Sequence, residues 1–417
     1  MKVKMEGLRE AVNAVSTMSN DIVMKVDGNK GTFISSNTNN GMRVMSIFEV
    51  NEGENTEIYL SKELKNSVNA LASYDDEMNI DVKESAITCS TSKAKVCLAK
   101  LAEKPADISG SEQIASYLMD GKEFSYAMNQ VAKGKGDLIH ILVCEDKIYL
   151  CNFAESLILL AEVPIQQSKH IDVSKVKIDA DTKKIENKDS VDDSISEMFS
   201  KAVLGISPER NGFLISISKE LWAKVTSICK KEAFLLHVCK NEIQLMWKML
   251  NIEIPLSFNK MACTAFGIIE KLIEKNEDTI NFSVKGKDVE SALSVAMLGN
   301  EKKVTFSCEN NKINIFTPNA SAILSTETTV SNFKSIYVGE QLQLFFSQNK
   351  EMDCEILLQE LDMFNKKAFV SNINKQFKHC YDNGTEKTND VKVSFISFPM
   401  NGNPSGEREV PGPFDCL

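Results

Sequence analysis

The chain has 417 residues, 43% of them hydrophobic and 25% charged, and a formal net charge of −10. This size and composition indicate a soluble chain of two to four domains. They argue against a membrane protein, because no run approaches the ~20 apolar residues a membrane helix needs. Its basic residues are 44 lysines and only four arginines, Arg9, Arg43, Arg210 and Arg408. With so few guanidinium forks to read guanine edges, sequence-specific duplex recognition is disfavoured; a coding bias accounts for the lysine excess as well as a functional cause does.

MKVKMEGLREAVNAV, at the start, has charge throughout and no apolar stretch of signal-peptide length. The 11 cysteines are scattered singly, and Cys144, Cys239 and Cys308 fall within strand-like runs. Reduced, buried thiols in a cytoplasmic compartment are the expectation.

In chain order, one pattern recurs: a short strand, a helix, then two or three alternating strands. The first copy sets Leu8, Ala11, Val12 and Val15 at helical spacing before DIVMKVDGNKGTFISS, where Asp-Gly chemistry predicts a hairpin. In the second, Leu64, Val68 and Leu71 share a helix face ahead of EMNIDVKESAITCST. A linker at 105–117 precedes the third copy, whose helix face is Phe124, Ala127, Met128 and Val131. Copy four opens at FLISISKELWAKV, with Leu221, Val225 and Ile228 inward. The fifth spans INFSVKGKDVESALSVAMLGNEKKVTFSCENNKINIF, and the sixth begins IYVGEQLQLFFSQNKEMDCEILL. One copy exposes a helix stripe and a sheet face, so copies pair to close a core. Three α+β domains are therefore predicted, at 1–104, 118–262 and 276–400, with a second linker at 263–275.

Two stretches stand outside the pattern. Residues 166–212 interrupt the middle domain with a charged run and an amphipathic turn bearing Ile195, Met198, Phe199, Ala202 and Val203, read as a solvated insertion with a docked helix. Residues 401–417 form a Gly- and Pro-rich tail, expected to be poorly ordered.

Reactive constellations are scarce. His140, His170, His237 and His379 lack metal-ligand spacing, and the pair His237 and Cys239 falls short of a zinc site. No phosphate loop or nucleophile elbow occurs, and KGKGD at 133–137 reads as a basic turn. Acidic clusters at Asp75 to Glu77 and at Asp192 and Asp193 read as solvated turns. The chain is therefore read as a non-enzyme without cofactor or metal.

Charge is distributed unevenly. Over windows 2–16, 59–73, 122–136, 218–231, 285–298 and 334–350, the helices carry +8, leaving −18 elsewhere. With apolar faces packed inward, Arg9, Lys62, Lys65, Lys133, Lys135, Lys219, Lys224, Lys230 and Lys231 would line one side. Lysines there make point contacts with phosphates without reading bases; ordinary solvated helix faces are the other reading.

The copy number and three stretches carry a resemblance. AMLGNEKKVTF, with Leu298, Asn300, Glu301 and Lys302, resembles the ILSNEK-x-RGV segment of the bacterial-type DNA polymerase sliding clamps. The initial MKVKMEGLREAVNAV and VSFISFPM at 393–400 resemble that family's first strand and helix and its YVVMPM ending. The likeness covers nearly all of residues 1–400. KV replaces the RG after NEK, FAESL at 153–157 stands where the family has DGHRL, and the insertion and tail are extra. Such departures fit a diverged member, such as a viral one.

The resemblance implies a DNA clamp fold of six units and a ring-shaped homodimer. Its partners would be sequence-nonspecific double-stranded DNA, a DNA polymerase and an ATP-dependent clamp loader. It further implies a joint in which Val96 and Leu98 meet Met297 and Leu298 of a second copy, and a partner-peptide pocket of Leu157, Ile396, Phe398 and Met400. QLQLF at 341–345 resembles the peptide such partners use, yet Leu342, Phe345 and Phe346 read as helix core. A clamp-fold assembly hub that never encircles DNA is the alternative.

Overall fold

Each of the six copies folds as one strand, one helix and three further strands, giving the expected α+β architecture. The computed structural model describes residues 1–105, 111–154, 157–169, 205–207, 212–257, 279–298, 302–309, 312–325, 333–361, 366–380 and 386–399. The expected insertion helix at 195–203, the tail, Asn300, Glu301 and Met400 lie outside these residues. The described helices are α1 (Met5–Val15), α2 (Glu63–Leu71), α3 (Gly121–Val131), α4 (Lys219–Val225), α5 (Gly286–Ala296) and α6 (Gly339–Gln348). None of them is long and apolar enough to cross a membrane.

The periodicity is realised as burial. Leu8, Val12 and Val15 of α1 are fully buried, as are Ala127, Met128 and Val131 of α3; each of these leucine, valine and methionine side chains stabilises the fold by roughly 2 kcal/mol. Leu342, Phe345 and Phe346 of α6 are core, as their spacing predicts. Ile228, expected inward, lies beyond the end of the short α4 and is half-buried. Cys144, Cys239 and Cys308 are buried, and burial pushes the thiol of Cys239 up to about 12.

The chain divides into two compact units, Met1–Ser125 with Ile165–Phe258, and Tyr126–Pro164 with Asn259–Leu417. In the first, a sheet runs from Gln167–Lys169 through Gln113–Met119, Phe234–Cys239, Glu242–Met246 and Leu250–Pro255 to Met42–Glu52. It continues through Lys2–Lys4, Glu77–Val82 and Ala86–Ser90 to the terminal strand Lys95–Ala99. In the second, Leu138–Val143, Lys147–Ala154, Leu157–Pro164, Glu386–Ser397, Lys366–Cys380, Asp353–Leu361 and Ile280–Lys285 follow one another. A separate four-stranded sheet there has the order Ser321–Ser325, Lys312–Phe316, Lys303–Glu309, Phe333–Val338.

Copies pair by exchanging their first strands. Val3 of copy one lies opposite Met78 of copy two, and Ile22 of copy one opposite Leu60 of copy two. Phe282 meets Ile356, and Val304 meets Tyr337, in the same reciprocal manner between copies five and six. All eight of these side chains are buried. A copy on its own would leave its first strand without a ladder, so the exchange makes the pair, rather than the copy, the folding entity.

The same pairing caps the helices. The residues preceding α1, α5 and α6 are Lys4, Lys285 and Val338, and none makes a side-chain capping bond. Instead the first N–H groups donate to carbonyls just beyond the partner copy's helix: Met5 to Asp76 at 2.8 Å, Gly286 to Met352 at 2.9 Å and Gly339 to Lys302 at 2.8 Å. Glycine opens α5 and α6 because a Cβ would collide with the Asn349 carbonyl at one and approach Met297 Sδ at the other. Among the described helices only α3 shows a conventional cap, with Asp120 Oδ1 accepting from the N–H of Glu123 at 3.0 Å.

Candidate functional site

On the helices of the first unit, the predicted cations differ in what holds them. Arg9 Nε donates to Asn69 Oδ1 at 3.0 Å, and Asn69 Nδ2 donates to Asn13 Oδ1 at 3.2 Å, tying α1 to α2. Lys230 reaches the same place, 2.8 Å from Glu10 Oε2. Arg9, Lys230 and the α2 surface are therefore brought together. Yet Arg9 lines a recess of about 430 Å³ with Glu6, Glu10, Asp75 and Asp76, so its field is largely cancelled. Lys224 is held by Glu220 at 2.8 Å across one helical turn, and Lys219 is half-buried at the start of α4. Lys62, Lys65 and Lys231 carry no ion pair among the described residues, which leaves their ammonium groups free for an outside anion. Arg43 serves the sheet: it pairs at 3.2 Å with buried Glu253 where Met42–Glu52 meets Leu250–Pro255.

Lys133 and Lys135 stand in the second unit on the KGKGD turn, whose glycines have a packing role. Asn152 is 1% exposed; its Nδ2 donates to the carbonyls of Gly136 at 2.8 Å and Leu138 at 2.7 Å, and its Oδ1 accepts from the Gly136 N–H at 2.9 Å. A Cβ at position 134 would strike the Asn152 side chain. Asn152→Ala removes three bonds to part-buried backbone groups, so a loss of about 2 kcal/mol is expected in urea unfolding. A change within about 0.5 kcal/mol would mean that water replaces the amide there.

This turn forms the mouth of a groove of about 170 Å³. Leu157, Leu159, Phe345 and Phe395 form its apolar floor, α6 adds Glu340, Gln341, Leu344 and Gln348, and α3 adds Gln130. Phe345 and Phe395 lie 4.7 Å apart between ring centroids. Of the residues predicted for the peptide pocket, Leu157 lies in the groove. Ile396 does not: Leu157 pairs with Ser397 and Leu159 with Phe395, whereas Ile396 pairs with Ile158. Alternation therefore puts Ile396 on the opposite sheet face and Phe395 on the groove side. Phe398 is buried just beyond the strand, and Met400 is outside the described residues. The contribution of α6 escaped the sequence reading, although Leu344 gave a signal: it is a leucine on a helix whose buried stripe is 341, 342, 345 and 346. It is 51% exposed.

Each predicted joint residue lies at or near a terminal sheet edge. Val96 and Leu98 are on Lys95–Ala99, half-buried and buried respectively. In the second unit, Leu298 follows α5 and is 62% exposed, beside Val295 on the last turn. Met297 turns inward, its Sδ against the start of α6. Ile323 on the terminal strand Ser321–Ser325 is 60% exposed and was not predicted.

No protein-family model matches the sequence, and no curated protein matches it significantly. Solved structures do match. The DNA polymerase III subunit beta from Pseudomonas aeruginosa superposes with a TM-score of 0.68 at 10% identity, over 96% of this chain and 99% of that one. The DNA polymerase sliding clamp from Bacillus subtilis gives 0.66 at 11% identity with the same coverage. A putative DNA polymerase III beta subunit from Eubacterium rectale gives 0.66 at 10% identity, again over 96% and 99%. The fold is thus that of the sliding clamps, over nearly the whole chain.

Proposed function

We propose that a chain with this fold acts as a DNA sliding clamp, two copies closing head to tail into a ring around duplex DNA and tethering a DNA polymerase. The pair of terminal sheet edges carries the reading. Lys95–Ala99 ends one sheet and Ser321–Ser325 another, and exposed Leu298 and Ile323 accompany the second. Pairing one edge with the other in a second copy covers both and repeats itself twice, which closes a ring and leaves no template for further growth.

In that reading the six copies group into domains at 1–104, 118–262 and 276–400. Lys62, Lys65 and Lys231 supply the principal contacts to phosphates; Lys133 and Lys135, turned to the mouth of the groove, and Arg9, Lys219, Lys224 and Lys230, already held within the chain, contribute less. Encirclement needs only weak contacts, so sliding remains fast. Apolar anchors of the polymerase dock in the groove beside Leu157, and an ATP-driven loader opens the ring. The net charge of −10 and the carboxylates around Arg9 favour the second reading, a clamp-fold hub that does not encircle DNA.

The decisive comparison uses one plasmid in two forms. Protein assembled on the nicked circle should persist through gel filtration in high salt and be lost once a single cut supplies free ends. Equal retention on both forms would sink the ring and leave the hub.

A further inference from the structure

We propose that the groove of the second unit selects an acidic partner segment, which buries apolar side chains against Leu157, Leu159 and Phe395 and brings a carboxylate to Lys133 and Lys135. This rests on the tethering reading and narrows it from any apolar segment to one chemical class.

Charge complementarity decides the class. The two lysines at the mouth have no carboxylate partner among the described residues, and Lys133 Nζ donates to the neutral Gln130 Oε1 at 3.1 Å. Desolvation lowers the Lys133 ammonium from its ordinary range, and an anion placed beside it would act in the opposite direction. Glu340, on the α6 wall, repels a second carboxylate at that end, which assigns the acid to the α3 end.

One further group awaits an occupant: Leu344, 51% exposed on the rim, would gain burial from the same segment. A nucleic-acid backbone could meet the lysines, but its sugars and phosphates bring no apolar side chain to Leu344 and Phe345.

The test is fluorescence polarisation on the full chain without DNA. One labelled peptide of about ten residues carries two leucines, a phenylalanine and two aspartates; its match has asparagine for aspartate. The acidic peptide should bind about tenfold more tightly at low salt, the preference shrinking as salt rises. The Lys133→Gln/Lys135→Gln variant should bring the ratio to about one, and Leu344→Arg, at an exposed position, should weaken both peptides. Equal binding of the two peptides to the unaltered chain would overturn acid selection while leaving docking intact. Should they bind equally and a short duplex lose affinity in the double lysine variant, the lysines belong to DNA. Binding of neither peptide would overturn the groove as a docking site, without touching the ring, which the plasmid comparison tests separately.

Discussion

Replacing Leu298 and Ile323 together with glutamate should turn a dimer into a monomer while the urea unfolding midpoint stays in place. Both side chains are more than half exposed in the single chain, so charge there costs the fold little. In the proposed ring each would lie against the strand Lys95–Ala99 of a second copy. Each joint then loses the burial of two aliphatic side chains, roughly 1 to 2 kcal/mol apiece, and gains two charges out of water. Because the ring contains the joint twice, the dissociation constant should rise by at least about a thousandfold. Light scattering across micromolar concentrations reads the outcome; an unchanged mass would remove this edge from the assembly. Met297 is left alone in this design. Its sulfur packs where a Cβ on Gly339 would stand, so a charge there would damage the α5 to α6 contact and confuse dissociation with unfolding.

Neutralising Lys62, Lys65 and Lys231 to glutamine should flatten the salt dependence of duplex binding by about two to three in the slope of log K against log salt, with little change of preference among sequences. These three have no carboxylate to release before meeting a phosphate. Lys224 and Lys230 are already paired with Glu220 and Glu10, both at 2.8 Å. The matched Lys224→Gln/Lys230→Gln variant should therefore change the slope by less than about one. Equal effects of the two sets would mean that exposure alone, rather than pairing within the chain, sets each lysine's contribution. No effect from either would favour the assembly-hub reading.

Some of the fold was legible because its signals are local. The spacing of Leu8, Val12 and Val15, or of Phe124, Met128 and Val131, reports which helix face meets a core, and all six residues are buried. The Asp-Gly turn was legible too, with Gly28 at φ 56° between Asp27 and Lys30, which pair across the hairpin. Long-range facts left no such trace. Nothing around Lys4 or Val338 announces a helix start without a capping side chain, since the acceptors come from Asp76 and Lys302. The lining of the groove was legible only in part. Leu157 was placed by resemblance, but a one-residue step in register decides whether Phe395 or Ile396 shares its face, and register is set by pairing between strands more than 200 positions apart.

By itself, the sequence determined the elements, their sixfold recurrence and their inward faces, because alternation and helical period are properties of neighbouring residues. It also determined the supply of lysines and the scarcity of arginines. The tertiary structure alone decided which strands exchange, which sheet edges remain terminal, which lysines have a carboxylate beside them and which leucines stay in water. Those depend on residues distant in the chain being brought within a few ångströms, where hydrogen bonds and ion pairs are either satisfied internally or left for a partner.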